Sequence, residues 1–424
     1  MMNYKEVLKY LEKASQKGSV LGLERIEKLL ELLSAPQDKL KIIHVSGTNG
    51  KGSFSAMLSS VLKESGYKVG VFSSPSLVTV NDSFRINCEI VSDTLFAEIL
   101  SEVIYKAEEM DDKPTEFELL TAAAFLMFYK TECEICIIEC GLGGDTDSTN
   151  VVKNPILSVI TNVQKDHCTI LGDTLSEIAT HKAGIIKSGS PVFYGGEKNE
   201  AYDVIRGYAQ KTGSDFYCPG SQKPENERYG INGTFFDYGR YRNIKLSLLG
   251  NYQICNAVNV IETVEILRKS GVEISDSSMY KGFEKSIWQG RFEIVSDNPY
   301  IIFDGAHNPC GMEEAVKTIK NCFGKCKTAM LMGVMADKEY NLYPDMIRDI
   351  VDVVFTVTPD NPRALEAKKL SESLINNGID ARPYDRFEDG MKDAVNYVRT
   401  KKIPLIVLGS LYMYKEFSCF LSEI

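Results

Sequence analysis

An α/β protein of two domains is the fold this chain predicts, on three observations. Apolar runs that suit buried strands (Lys41–Val45, Lys68–Phe72, Ile135–Glu139, Ile156–Thr161) alternate with helix-length segments in the first 295 residues. A glycine-rich turn joins the first of these strands to a stretch with helical periodicity. After a polar cluster at 296–299 the strand–helix alternation starts afresh and continues to the end. We therefore expect a mostly parallel-sheet P-loop domain over 1–295 and a smaller Rossmann-like doubly wound domain over 299–424, with the cluster as linker.

The turn reads His44-Val45-Ser46-Gly47-Thr48-Asn49-Gly50-Lys51-Gly52-Ser53. Phe54, Met57, Leu58, Val61 and Leu62 then recur at helix spacing. A loop of this kind turns backbone N–H groups toward an anion at the helix N-terminus, and Lys51 adds a mobile positive charge. The common phosphate-loop pattern is met only in part: Val45 stands where its first glycine belongs, and Gly52 where its hydroxyl belongs. A tight strand-to-helix turn without ligand is the alternative.

Composition narrows the class. An apolar fraction of 44% and a charged fraction of 25% are those of a soluble globular protein. No apolar run is long enough to span a bilayer, and the polar start, Met1–Lys9, has no signal-peptide core, so a cytoplasmic protein is expected. The net charge of −10 argues against a nucleic-acid partner and requires any anion site to create its own positive potential. Eleven cysteines, several in apolar runs, fit reduced thiols better than disulfides. Cys133 and Cys136 form one C-x-x-C, but Cys322 and Cys326 have the wrong spacing to complete a zinc site. The four histidines, at 44, 167, 181 and 307, all lie in or beside motifs.

Taken in order, Tyr4–Ala14 and Leu23–Leu33 are amphipathic helices separated by a glycine-punctuated turn. Ser73-Ser74-Pro75 ends the second strand, where ligands of parallel sheets collect; Ser74 is either a ligand hydroxyl or a simple turn residue. Phe84–Val91 is read as a short strand and Thr94–Met110 as a helix. Thr115 is a good N-cap for the helix that follows. Glu139, at the tip of an apolar strand, stands where P-loop enzymes hold magnesium, or is an ordinary strand end. Asp166-His167 falls in a polar turn. Thr174–Lys187 reads as a helix on which Lys182, considered alone, is a solvated lysine. Residues 216–249 suggest hairpins, and helices follow over Ile254–Lys269 and Ser275–Glu284. In the last domain, strands at Tyr300–Phe303, Thr328–Val334, Val351–Val357 and Ile403–Leu408 alternate with helices, including Cys310–Cys322 and Tyr340–Ile350.

Eight motifs then occur in sequence: GTNGKGS, SSP, IIECGLGGDTDSTN, KDHCTILG, HKAGIIK, GNYQICNA, WQGRFE and DGAHNP. The series resembles the folylpolyglutamate synthase/dihydrofolate synthase family of the Mur ligase superfamily over essentially the whole chain. The resemblance implies an ATP-dependent amide ligase that adds L-glutamate to a reduced folate through an acyl phosphate. It implies that Asn49, Gly50, Lys51, Gly52 and Ser53 cradle the phosphates, that Asn256 meets the base, and that Arg291 and Asp304 contact the γ-phosphate and ribose. His307 approaches the phosphates, and ATP lies in a cleft between the domains. Ser74, Glu139 and His167 are implied magnesium ligands, for two ions, with a monovalent cation as a further cofactor. Lys182 matches a lysine that the family carbamylates. For the pterin-bearing substrate the resemblance points to Ser19, Val20, Leu21 and Gly22, to Thr115, Glu116, Phe117 and Glu118, and to Thr146, Asp147 and Ser148. Asp145 stands where many members that use dihydropteroate carry Arg, so a reduced folate is the main expectation and dihydropteroate the second.

Two other readings compete. A cell-wall peptide ligase acting on a UDP-sugar would carry a separate N-terminal domain, whereas here LGLERI runs directly into the phosphate loop. A nucleotide switch has little need of the combined set Lys51, Glu139, His167 and Lys182. No membrane partner is expected, and monomer is the default.

Overall fold

Eight strands form the first sheet of the structure, a computed structural model that describes residues 1–18 and 20–422. They are β1 Ile42–Ser46, β2 Val69–Phe72, β3 Phe84–Ile86, β4 Glu89–Ile90, β5 Ile135–Glu139, β6 Leu157–Ile160, β7 Val192–Tyr194 and β8 Phe216–Tyr217. Their order is β4-β3-β2-β5-β1-β6-β7-β8, parallel except for the β2–β3–β4 edge. β1, β2, β5 and β6 are buried at every position, which is why they read as mostly apolar runs. The chain divides into two units, Met1–Lys223 with Asn256–Lys285, and Pro224–Cys255 with Ser286–Ile424.

Within the first unit, helix Asp276–Lys285 packs closely on helix Lys51–Glu64. A Cβ on Gly282 would lie 2.5 Å from the Val61 Cα, so the two backbones meet there without an intervening side chain. Helix Glu116–Lys130 is almost wholly buried and closes a core that includes Phe72, Phe84, Phe96 and Phe125. The reading of Phe84–Val91 as one strand is corrected: Asn87 (φ 52°) and Cys88 (φ 67°) turn the chain into a β3–β4 hairpin. The helix expected to reach Lys187 ends at Ala183, because Gly184 abuts Asp145 and the chain then turns Ile185 and Ile186 into the core. Helix Glu200–Thr212 went unread, although Ala201, Ile205 and Ala209 are its buried stripe.

The second unit holds a three-stranded antiparallel sheet, β9 Glu225–Arg228, β10 Thr234–Tyr238 and β11 Tyr241–Leu246, which matches the hairpin reading from 225 onward, whereas Phe216–Tyr217 pairs parallel with β7 in the first sheet. Its main sheet comprises β12 Glu293–Asp297, β13 Tyr300–Asp304, β14 Thr328–Met332, β15 Val351–Thr356, β16 Ala381–Pro383 and β17 Leu405–Leu408. The order β12-β13-β17-β14-β15-β16 is parallel apart from β12. The cluster at 296–299 is not a linker: it turns the β12–β13 hairpin inside this unit. The helix expected over Tyr340–Ile350 is a 3₁₀ turn, Tyr340–Leu342, followed by the short helix Tyr343–Ile347.

Candidate active site

The carboxyl ends of β1, β5 and β6 carry the first group of candidate residues. Gly47 (φ 149°) admits no side chain, since a Cβ would sit 1.9 Å from Thr161 Oγ1. Gly50 (φ 83°) caps helix Lys51–Glu64 and rests on Asn256, whose Oδ1 would be 2.4 Å from an added Cβ. Asn256 thereby joins the phosphate loop of its own unit. The segment leaving β6 braces the loop from outside. Thr48 N donates to Asn162 O (3.1 Å), Asn49 N to Asn162 Oδ1 (2.9 Å) and Asn49 Nδ2 to Gln164 Oε1 (2.6 Å). The buried Thr161 hydroxyl donates to Asn49 O at 2.7 Å. Asn49 is thus held by its neighbours, and helix Lys51–Glu64 begins directly after Gly50.

Lys51 Nζ donates to Gly47 O at 3.0 Å and lies 4.0 Å from Glu139 Oε1, whose side chain is only 4% exposed. Parallel register sets Glu139 beside Val45 of β1 and Phe72 of β2 beside Ile138, so Ser73 and Ser74 leave β2 next to the Glu139 end of β5. A cavity is lined by Gly47, Thr48, Lys51, Cys140–Gly143, Asp166, His167, Leu171 and Lys182. The structure thus gathers Lys51, His167 and Lys182 around one space, with Glu139 against Lys51; Glu139 and Ser74 are outside the lining.

Lys182 is buried (3% exposed), so the solvated reading fails. Burial, reinforced by the Lys51 charge, pulls its ammonium down to about 7. An amine that is substantially neutral at physiological pH is a nucleophile rather than a fixed cation.

The glycine-rich loop after β5 is packed against its surroundings at each glycine. A Cβ on Gly141 would lie 2.7 Å from the Phe117 ring, and one on Gly144 2.7 Å from His181 O. Asp145 N donates to His181 O (2.9 Å), and the Asp145 carboxylate pairs with His181 Nδ1 (2.9 Å). Asp147 faces inward: it accepts from Leu142 N (2.8 Å), Thr149 N (3.0 Å) and the Thr149 hydroxyl. With that hydroxyl donating, the Thr149 oxygen accepts from His44 Nε2–H at 2.9 Å, which fixes the tautomer. Cys140 Sγ is 3.2 Å from the same nitrogen.

His44 is fully buried, and burial pushes its imidazole down to about 3. The unfolded chain binds this proton below about 6.5 while the native state refuses it, so stability is lost as pH falls from 6.5 toward 3. We expect His44→Gln, which keeps a donor near the Nε2 position, to lose up to about 3 kcal/mol less than the parent between pH 6.5 and 4. Urea melts at a series of pH values check this.

Val20 and Leu21 are 46% and 60% exposed, Thr115 and Glu118 close a capping box, and Ser19 lies outside the described residues. In the second unit, Asp304 is buried at the end of β13 and accepts from Phe292 N and Ala306 N, both at 2.8 Å. Burial raises its carboxyl above the usual range, against the opposing charge of Arg291. Gly305 leaves room for Arg291, whose Nη1 would be 2.4 Å from a Cβ there, and His307 Nδ1–H donates to Gly305 O at 2.9 Å. Arg291, Asp304 and His307 are therefore one local group. Among the described residues no three His, Cys, Asp or Glu side chains converge as a ready metal site, the cysteine pairs included. Sequence reasoning missed Thr161, Asn162, Gln164 and the His44–Thr149–Asp147 chain; the polar run directly after the apolar β6 was the available signal.

Comparison with known proteins settles the family. The Mur ligase middle domain matches residues 45–264, and the Mur ligase glutamate ligase domain matches 290–411. The dihydrofolate synthase/folylpolyglutamate synthase of Bacillus subtilis (strain 168) is 34% identical over 428 residues, covering 97% of this chain and 98% of the relative. The chain belongs to the folylpolyglutamate synthase/dihydrofolate synthase family. Two solved members of the family share its fold. The folylpolyglutamate synthase of Thermotoga maritima superposes with a TM-score of 0.87 at 31% identity, over 99% of this chain and 96% of that one. An E. coli relative in complex with DHPP and ADP gives 0.86 at 28%, over 100% and 98%. No helix among the described residues is long and apolar enough to cross a membrane.

Proposed function

We propose that this protein joins L-glutamate to the side-chain carboxylate of a reduced folate at the expense of ATP. A carboxylate is a poor electrophile. Its oxygen attacks the γ-phosphorus, the bond to the β-phosphate oxygen breaks, and ADP leaves. The glutamate amine then attacks the acyl carbon, loses a proton, and expels phosphate as the amide forms. The observation that carries this reading is the meeting of Lys51 with the buried Glu139 at the strand ends, beside the buried amine of Lys182.

In this reading the N–H groups from Gly50 to Ser53 and the Lys51 ammonium hold the β- and γ-phosphates, and Asn256 meets the base. Arg291, Asp304 and His307 serve the γ-phosphate and ribose. Ser74, Glu139 and His167 would hold magnesium: a hydroxyl, a carboxylate and an imidazole are few donors, as suits an ion that keeps water and phosphate oxygens in its shell. Bound there, it would neutralise charge on the phosphoryl group in flight. The neutral Lys182 amine can add carbon dioxide with loss of one proton, giving a carbamate whose anionic oxygens face the same space. The pteridine acid is assigned to Val20–Gly22, Thr115–Glu118 and the loop around Thr146–Ser148; Asp147, committed internally, shapes that loop. Asp145 stands where many family members that use dihydropteroate carry Arg, which supports reduced folate ahead of dihydropteroate as acceptor.

Purified protein with ATP, Mg²⁺, glutamate and tetrahydrofolate is expected to give products that grow by whole glutamyl units in mass spectrometry. Phosphate release that needs neither folate nor glutamate would instead support a switch. Turnover of dihydropteroate would add the second acceptor.

A further inference from the structure

One guanidinium outside the phosphate site ties three chain segments together. Arg25, in the first turn of helix Glu24–Leu32, is 14% exposed. Its Nη2 donates to Val20 O at 2.8 Å, its Nε to Glu118 Oε2 at 3.1 Å, and its Nη1 lies 3.5 Å from Asp112 Oδ2. Glu118 is 1% exposed and also accepts from Thr115 N at 2.7 Å, completing the capping box of helix Glu116–Lys130. A planar fork reaches these acceptors in different directions, which a single ammonium cannot do.

The segment so held is unusual for a surface turn. It presents two large aliphatic side chains, Val20 and Leu21, to solvent between positive-φ glycines, Gly18 (65°) and Gly22 (116°). Next to the anchoring carboxylate, Phe117 covers Gly141 and stands 5.9 Å from the Phe72 ring. Exposed aliphatics fixed by a buried ion pair suit a flat, largely apolar ring system better than water.

We infer that Arg25 is a positioning residue for the pteridine acid: it latches Val20–Leu23 to the start of helix Glu116–Lys130, so that Val20 and Leu21 form an apolar wall of that site. The inference rests on the folate reading above. It assigns the latch to side chains that touch neither nucleotide nor the reacting atoms.

The test compares Arg25→Lys with the double variant Arg25→Met/Glu118→Gln, which leaves no buried unpaired carboxylate if the single change fails to fold. A third variant, Val20→Ser/Leu21→Ser, keeps the latch and removes the wall. Each is expected to raise KM for tetrahydrofolate about tenfold, with kcat and KM for ATP within about twofold. Amide exchange at Val20–Leu23 is expected to quicken in both latch variants. An unchanged KM for tetrahydrofolate in the folded variants, or parallel losses for all substrates, overturns the inference. If the parent protein itself does not glutamylate tetrahydrofolate, the functional reading fails first. Exchange at Val20–Leu23 then judges the latch alone, and unaltered exchange overturns it.

Discussion

Replacing Lys182 by alanine is expected to lower kcat by about a hundredfold or more while ATP affinity changes by less than about threefold. The side chain is buried beside Lys51 and lines the cavity with His167, so its loss removes a group from the space proposed for phosphoryl transfer. The pH dependence has a definite sign. With its ammonium drawn down to about 7, the amine is increasingly neutral above that value and increasingly protonated below it. Carbamate can form only on the neutral amine, so activity in bicarbonate buffer is expected to fall as pH drops through 7. Lys182→Arg should be as poor as alanine, because a guanidinium stays charged throughout. Normal turnover in Lys182→Ala, with a pH profile like the parent's, would exclude an essential carbamate.

Lys51→Ala is expected to abolish measurable turnover, a loss of at least about a thousandfold, and unlike Lys182→Ala to weaken nucleotide binding as well. Lys51 bridges the loop carbonyl of Gly47 and the buried carboxylate of Glu139. Truncation removes the positive charge proposed to hold the phosphates and leaves Glu139 without that counter-charge in a poorly solvated place. Thermal stability should therefore drop too, and Lys51→Ala/Glu139→Gln should recover stability without recovering turnover. Nucleotide titration and melting of both proteins separate the two effects. Unaltered ATP affinity in the single variant would mean that the lysine does not serve the phosphates.

The central strands were legible because they are buried on both faces, and such strands leave mostly apolar stretches such as Ile42–Ser46 and Ile135–Glu139. Phe84–Ile90 misled because a hairpin of five strand residues has no room for periodicity, and Cys88 gives no hint of a positive φ. A polar, proline-containing stretch such as 296–299 serves equally as linker or hairpin turn; only the pairing of Glu293–Asp297 with Tyr300–Asp304 decides. The same division holds at the site. Lys51, Glu139 and Lys182 sit in short local patterns, and chemistry marks them. The burial of Lys182 was invisible, since one turn of helix does not reveal which face the fold will cover. Arg25–Glu118 and His44–Thr149 join residues 93 and 105 positions apart, and no local pattern carries such partnerships.

The passage of oxygen from acid to phosphate tests the acyl-phosphate claim most directly. Tetrahydrofolate labelled with ¹⁸O in its side-chain carboxylate, turned over with ATP and glutamate, is expected to yield inorganic phosphate carrying one ¹⁸O for each first glutamyl unit added. Unlabelled phosphate alongside a genuine glutamyl product would contradict it.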